Sequence, residues 1–541
     1  MLTRPQKLQQ AGGTNAAARA LDRLFAYPRI AALLLGALAP LGFPPLRLWP
    51  ISVLAMGAFV LLLRRCETKK RAFLLGWLFG VGYFTVTNNW IATAFTYQAE
   101  MPAWLGMLAV PLLALYLAVF PGVAALGTHL LARKHGATAF ALAAGGSWIV
   151  AEWLRSWVFT GYAWGPFSLA LLGPFDRPGL AALLPIFGTY ALSGVLVIAS
   201  ALIVASLTER RWIAAGIAAV LLTAGMYWPA STPREGTLPL TLVQPDVRQN
   251  DLDNPALFED QFRRISRLSL PRSPGEQRLV LWPESGVPDY LRDGYPQRYY
   301  DQMTAAGDPR FARWRIGQSI DEGSLLLTGA VDLEIGGPEG FEKAVGAYNS
   351  VTAITADGEI VDSYAKAHLV PYGEYLALRW LLEPLGATRL VAGSIDFIPG
   401  PGPKTLDLGP WGEAGVQICY EIIFSGEVAD PENRPDYIFN PSNEGWFGSW
   451  GPPQFTAQAR LRAIEEGLPV LRATTTGISS IIDARGVVRE YIPMHVRDRI
   501  DTVIPPAAAP TVFSRLGHWL TLIWAAALIA ASLVASRRRA S

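Results

Sequence analysis

The sequence predicts a two-part chain, a polytopic α-helical membrane domain of about eight spans joined to an α/β domain outside the membrane. Three observations carry this. Of 541 residues, 51% are hydrophobic and only 17% charged, against about 25% charged in ordinary soluble domains, and the mean hydropathy is +0.26. Apolar segments long enough to cross a hydrocarbon core recur before Trp228 and once more near the C-terminus. Between Leu238 and Pro505 the texture changes to short β-branched runs separated by Gly, Pro and charged turns. The composition excludes disorder. Lys plus Arg (46) and Asp plus Glu (44) nearly cancel, so no basic surplus exists to bind a nucleic-acid backbone.

The apolar segments run from Tyr27 to Pro44, Trp49 to Leu63, Ala72 to Phe95, Trp104 to Leu131, Thr138 to Val158, Ile186 to Ser206, Trp212 to Trp228 and Leu516 to Ala535. The second is short, and the third carries Asn88 and Asn89. The first lacks a small-residue cleavage site and is followed directly by another apolar run, so it reads as a span, not a cleaved signal. Orientation follows the basic loops. Arg4, Lys7, Arg19, Arg23 and Arg29 precede or open the first span. Further clusters are Arg64, Arg65, Lys69, Lys70 and Arg71, then Arg133 and Lys134, then Arg210 and Arg211, and finally Arg537, Arg538 and Arg539. Eight spans with both ends inside put all of these on the cytoplasmic side, and the opposite loop, Tyr97 to Met101, carries no positive charge. The resulting division is a cytoplasmic segment 1–26, a seven-helix membrane domain 27–230, an external domain 235–507, a last span 516–535 and a tail 536–541. Cys66 and Cys419 then lie on opposite sides and cannot pair.

In the external domain the patterns predict strands Leu238 to Val243, Leu279 to Trp282, Ser324 to Gly329, Tyr348 to Thr355, Glu359 to Tyr364, Gly415 to Cys419, Tyr437 to Asn440 and Val470 to Thr475. Helices are predicted over Pro255 to Leu268 and Pro453 to Glu466, the second with Phe455, Ala459, Ala463 and Ile464 on one face. Strands mixed with helices indicate α/β.

The five histidines lie apart without metal-ligand spacing, and no HExxH, GxSxG, Walker A or GxGxxG context is present; no metal or cofactor is called for. What remains is a coincidence of position. Glu284 ends Val-Leu-Trp-Pro-Glu, Lys366 follows a strand in Ser-Tyr-Ala-Lys, and Cys419 ends Gly-Val-Gln-Ile-Cys. Each stands at the carboxyl end of a strand, the edge where open α/β sheets build ligand sites. A thiol is only a few per cent thiolate at neutral pH, so a cysteine nucleophile needs a base or a neighbouring cation. Glu284 could remove and return the proton and Lys366 could offset an oxyanion. Taken singly, a strand-end cysteine is ordinarily a small buried hydrophobe, a lysine after a strand is ordinarily solvated, and a glutamate after proline ordinarily belongs to a turn; spacing alone leaves both readings open.

At these residues the sequence resembles the nitrilase (carbon–nitrogen hydrolase) superfamily, whose Glu–Lys–Cys triad matches Glu284, Lys366 and Cys419. With the membrane spans, nearly the whole chain past Ala31 resembles that superfamily's membrane-embedded branch, the apolipoprotein N-acyltransferases. Supporting stretches are Trp282-Pro283-Glu284, Lys366-x-His368 through Tyr375, Cys419-Tyr420-Glu421, Asn440 through Phe447, Glu152-Trp153-x-Arg155, and Thr160-Gly161-x-x-Trp164. The resemblance implies an αββα sandwich and a ping-pong reaction in a bacterial inner membrane, with the catalytic domain in the periplasm. Cys419 would take an acyl chain from a phospholipid, typically phosphatidylethanolamine, as a thioester. The α-amino group of a diacylglyceryl-cysteine on an apolipoprotein would then resolve it to an amide. No cofactor is implied, and a monomer is expected. Glu374 matches a family glutamate that would position Lys366 or the oxyanion, and Tyr420 and Glu421 match residues beside the nucleophile. The chain departs from the family at Glu444-Gly445, where Asp-Ala is common, at Ala163, where Pro is common, and in Gln244 to Asn254, which lacks the usual Trp.

Both substrates keep their acyl chains in the bilayer, so the site needs an apolar route down to it. Asn443, Trp446, Phe447 and Trp450 lie in a glycine-hinged aromatic loop suited to the interface, which reads either as a lid or entry wall or as ordinary core packing. Glu152 and Arg155, three apart on one helix face, read as a structural pair in preference to a substrate contact. Two other functions compete. A membrane-anchored amidase or nitrilase would let water resolve the acyl-enzyme, and one span would suffice for it. A transporter or receptor with a structural Cys419 would carry paired charges along its helices, and would keep full activity in Cys419→Ala.

Overall fold

The computed structural model describes residues 16–97, 104–338, 340–382, 384 and 396–537. Arg4, Lys7, Arg538, Arg539 and positions 98–101 of the uncharged loop lie outside them. A helix α1 (Ala16–Phe25) precedes the apolar segments, and all eight segments are helical: α2 (Pro28–Leu38), α3 (Trp49–Arg64), α4 (Lys69–Thr87), α5 (Trp104–Leu117) and α6 (Val119–Ala132) sharing the fourth, α7 (Ala137–Trp157), α8 (Leu184–Thr208), α9 (Trp212–Tyr227) and the C-terminal helix at His518–Arg537. Among the described residues, four stretches are long and apolar enough to cross a membrane by length and composition: Trp104–Ala132, Ala137–Trp157, Leu180–Thr208 and His518–Arg537. A fifth is possible if the pair Ala18–Phe25 and Pro28–Gly42, bent by 115°, counts as one span. The eight-span reading fails this criterion for physical reasons visible in the chain. The helices Trp49–Arg64 and Trp212–Tyr227 are only 16 residues each. In the third segment, α4 has 19 residues but opens on Lys69, Lys70 and Arg71 and ends at Thr87 with Asn88 as its C-cap, and Asn88 accepts a hydrogen bond from Tyr162 Oη at 2.8 Å.

The remaining chain folds as two six-stranded sheets. The strands are β1 (Pro239–Gln244), β2 (Leu279–Leu281), β3 (Leu325–Gly336), β4 (Lys343–Thr355), β5 (Ile360–Ala365), β6 (Thr405–Asp407), β7 (Glu413–Val416), β8 (Tyr437–Ser442), β9 (Val470–Thr474), β10 (Ser479–Ile482), β11 (Val488–Ile492) and β12 (Asp498–Val503). One sheet runs β12-β1-β2-β3-β4-β5 and the other β11-β10-β9-β8-β7-β6. In each, three central strands are parallel and the flanking pairs antiparallel. Leu240, Leu242, Leu281 and Leu327 of the first sheet and Val416, Ile438 and Val470 of the second share one buried core, so the sheets pack face to face.

Helices cover both outer faces. α10 (Phe258–Ser269) and α11 (Pro309–Gly317) place Ile265, Ala312 and Ile316 against Val280, Trp282 and Leu326. On the other sheet, α12 (Gly451–Glu466) is buried nearly all round, as a helix between two apolar bodies must be. Phe455, Ala459 and Ala463 join the sandwich core, whereas Ala457, Leu461 and Ile464 join the core of the membrane helices. Ile464 therefore points away from the face on which the sequence placed it with Phe455. The layering is α-β-β-α with one outer helix doubling as the seat on the membrane domain. Arg460 fixes that seat, donating to the carbonyls of Gly173 (2.9 Å), Pro174 (2.7 Å) and Arg177 (2.8 Å) across the junction. The sandwich docks on the helix ends near Trp90, Trp164 and Thr189, opposite the ends that carry Arg64, Arg65, Arg133 and Arg210.

Candidate active site

Glu284, Lys366 and Cys419 lie just past the ends of three different strands and meet at the edge of the sandwich that faces the membrane helices. Glu284 lies three residues past β2. The turn is pinned to β3 by Gly329 N donating to Pro283 O (3.2 Å) and Gly286 N donating to Gly329 O (3.1 Å). A Cβ at Gly329 would stand 2.7 Å from Glu284 Cα, so only glycine permits this approach. Lys366 directly follows β5, its N–H donating to Asn349 O (2.8 Å) and its carbonyl accepting from Gly400 N (2.7 Å). Cys419 does not end a strand as its sequence pattern predicts. β7 stops at Val416, and Cys419 opens a 3-10 turn (Cys419–Ile423) with φ of +50°. A non-glycine residue in this left-handed region is strained, and such strain persists where surrounding structure enforces it.

The charges are buried together: Lys366 is 1% exposed, Cys419 6% and Glu284 7%. Lys366 Nζ lies 2.9 Å from Glu374 Oε1 and 3.7 Å from Glu284 Oε1. Burial alone would discharge this amine, but Glu374 and Glu284 outweigh it and raise its pKa above the ordinary lysine value. The Cys419 pKa is raised as well, held well above its ordinary value by burial and then by Glu284, against the pull of Lys366, so the lysine keeps its proton and the thiol keeps its own. The resting site therefore holds Cys419 as a thiol in the field of Glu284, with the charged Lys366 ammonium beside it.

Around this core, Asn349 Nδ2 donates to both Glu284 Oε1 (2.7 Å) and Glu374 Oε1 (2.9 Å), bridging two carboxylates that would otherwise repel. Val370 N donates to Glu374 Oε2 (2.7 Å). The backbone N–H of Asn443 donates to Glu284 Oε2 (2.7 Å), while the Asn443 side chain is bound to Gln249 Oε1 (2.9 Å) and Thr475 Oγ1 (2.9 Å). The stretch without the family's tryptophan thus contributes Gln249. Glu421 accepts from Tyr364 Oη (2.7 Å), Ala367 N (2.8 Å), His368 N (3.1 Å) and Ile418 N (2.7 Å), tying the Lys366 segment to the Cys419 turn. Burial nevertheless raises its pKa to about 7. Tyr420 is buried edge-on to Phe424.

Sequence reasoning missed Asn349, Tyr364 and Asn440. The available signal was a polar residue interrupting an otherwise apolar strand, which is ambiguous until the strand's neighbours are known. In the aromatic loop, Phe447 packs between Trp90 (4.5 Å between ring centroids) and Trp164 (6.1 Å, parallel), and touches Phe455 (5.5 Å). Trp446 and Trp450 are half-buried. Glu152 and Arg155 line a small cavity with Tyr83, Phe84 and Trp148, and they clamp the loop that carries Trp164. Arg155 donates to the carbonyls of Tyr162 (2.6 Å) and Trp164 (2.7 Å), and Glu152 Oε1 accepts from Trp148 Nε1 (2.9 Å) and Phe167 N (2.8 Å).

A face-to-face α-β-β-α sandwich with a glutamate, a lysine and a cysteine converging on its strand ends defines the carbon–nitrogen hydrolase fold, and the family model described as carbon-nitrogen hydrolase matches residues 247–490. The model described as the apolipoprotein N-acyltransferase N-terminal domain matches residues 35–202, the membrane helices. The chain is 34% identical over 510 residues to the apolipoprotein N-acyltransferase of Rhodopseudomonas palustris, covering 90% of this chain and 91% of that protein. It is 34% identical over 534 residues to that of Bradyrhizobium diazoefficiens (94% and 95%). The chain belongs to the apolipoprotein N-acyltransferase family, and is an acyltransferase. Among solved structures, Nesterenkonia AN1 amidase of the nitrilase superfamily aligns at 19% identity with a TM-score of 0.32, over 50% of this chain and 92% of that one. A Helicobacter pylori carbon–nitrogen hydrolase aligns at 14% identity with a TM-score of 0.34, over 49% and 88%.

Proposed function

We propose that the protein N-acylates the diacylglyceryl-cysteine terminus of apolipoproteins with an acyl chain taken from a membrane phospholipid, such as phosphatidylethanolamine, through a thioester on Cys419. The observation that carries the reading is the burial of Cys419 with Glu284 and Lys366 directly over the membrane helices. A soluble amide substrate would have no need of that placement. Cys419 Sγ attacks the ester carbonyl as its proton passes to Glu284. Lys366 offsets the oxyanion, and collapse expels the lysophospholipid alkoxide, which recovers the proton from Glu284. The lipoprotein amine then attacks the thioester, Glu284 takes the amine's proton, and the thiol returns as the amide leaves. Glu374 and Asn349 hold Lys366 and Glu284 in place. Glu421 locks the Lys366 strand end to the Cys419 turn, with Tyr420 packed beside it.

In this reading the spans are eight, with both termini cytoplasmic, and the sandwich, 235–507, works in the periplasm on the inner membrane as a monomer. The loop bearing Trp446, Phe447 and Trp450 forms the entry wall between bilayer and site, with Asn443 at its root; the stacking of Phe447 on Trp90 and Trp164 supports this. The test is the intact mass of detergent-purified protein incubated with phosphatidylethanolamine and no acceptor. A hydroxylamine-sensitive gain of one acyl chain, absent in Cys419→Ser and discharged by a diacylated lipopeptide, is the expected result. No adduct on either protein would overturn the reading, and discharge by water at the same rate as by the lipopeptide would favour the hydrolase alternative.

A further inference from the structure

Arg472 is a fully buried cation that the proposed reaction does not use. It sits on β9 directly opposite Asn440 of β8 in the sheet register, with its guanidinium 4.4 Å above the Phe455 ring. The guanidinium pairs with the Glu444 carboxylate and donates to Asn440 Oδ1. Each partner reaches one member of the reacting pair. Asn440 Nδ2, its orientation set by the arginine, donates to the carbonyls of Gln417 (2.5 Å) and Cys419 (3.4 Å), the two carbonyls at the entry to the turn in which Cys419 is held at positive φ. Glu444 also accepts from Ile478 N (3.2 Å), and it is bonded through the backbone to Asn443, whose N–H donates to Glu284. A planar fork satisfies both partners at once; an ammonium offers a point charge in one place.

We propose that Arg472 is a positioning residue that holds the strained Cys419 turn and the Asn443 amide at a fixed separation, so that the thiol and the Glu284 carboxylate stay in register. The effect on the reaction rests on the acyl-transfer reading above, but the effect on the thiol does not.

The experiment follows alkylation of Cys419 by iodoacetamide against pH, assigned by peptide mass so that Cys66 does not contribute. Wild type is compared with Arg472→Lys, which keeps the charge but loses the fork. It is also compared with Asn440→Asp, which keeps an acceptor for Arg472 but removes the donor to the two carbonyls. Both variants should alkylate about tenfold more slowly at pH 7.5, with midpoints about one pH unit higher. With a fluorescent phospholipid, kcat should fall about tenfold while KM stays within about twofold, and thermal unfolding should change little. Wild-type alkylation profiles in both variants would overturn the proposal. Failure of both to fold would also overturn it, since the residues would then serve the fold and not the site. If wild-type protein turns over no phospholipid while the alkylation differences persist, it is the acyltransferase reading that fails.

Discussion

Replacing Lys366 with methionine tests the logic of the site most directly, because it removes the cation and preserves nearly all the volume. Lys366 Nζ is 3.7 Å from Glu284 and 2.9 Å from Glu374, and Asn349 can donate to both carboxylates but cannot neutralise either. A unit-charge pair near 4 Å at an effective dielectric of about 20 is worth about 4 kcal/mol, which falls within the 3–5 kcal/mol seen when one partner of a buried pair is removed. The molecule can avoid much of that cost by protonating one of two adjacent carboxylates. The fold should therefore survive, with a modest change in melting temperature, while the shared proton cripples the base. Forfeiting about 4 kcal/mol of transition-state stabilisation corresponds to about a 10³-fold loss of rate. The assay is single-turnover formation of the Cys419 thioester, followed by intact mass. Residual activity in Lys366→Met should climb with pH, since the carboxylate pair ionises fully only at a pH above the usual carboxylate range. Thioester formation within tenfold of wild type at neutral pH, in folded protein, would refute the role given to Lys366.

Four further outcomes are expected. Glu421 is protonated more readily folded (about 7) than unfolded (4.5). The folded chain therefore takes up a proton between those values, and its stability advantage falls as pH rises from about 4.5 to about 7; melting of Glu421→Gln against wild type should lose that slope. Gly329→Ala drives a methyl into the Glu284 turn and should lower thioester formation at least tenfold with phospholipid binding retained, as measured by pull-down of labelled lipid. Phe447→Ala vacates the space between Trp90 and Trp164 and should slow phospholipid turnover several-fold while leaving Cys419 alkylation within twofold; slowed alkylation would place Phe447 in the core and not in the entry wall. Arg155→Ala strips the buried Tyr162 and Trp164 carbonyls of their donor, at a cost of about 1–3 kcal/mol for each group left unsatisfied, so a lower yield of folded protein in size-exclusion chromatography is expected, and normal folding with lost acylation would make Arg155 a substrate contact.

The sequence by itself determined the division into a part of long apolar helices and a strand-rich α/β part, because burial in lipid or in a sandwich writes its own periodicity. Of the strands it marked, those from Leu279, Tyr437 and Val470 begin where β2, β8 and β9 begin. It also put Glu284 and Lys366 past strand ends. It did not mark β6, β10, β11 or β12, strands at or near the sheet edges whose apolar signal is diluted by Asp407, Ser479, Arg489 and Asp498. Nor did it show where α12 faces, since a helix apolar on both sides has no single stripe to read: Phe455 and Ile464 look alike in sequence and belong to different cores. Only the tertiary structure decided which polar residues act together. Asn349, Asn440, Gln249 and Arg472 are each unremarkable in their own segments, and they become a hydrogen-bonded shell only when strands far apart in the chain are laid side by side. Glu152 and Arg155 were legible as a helix-face pair, but that they grip the loop carrying Trp164 depends on a fold-back of the chain after α7. Local pattern records what a residue's own element needs, whereas a buried site is defined by what distant elements bring to it.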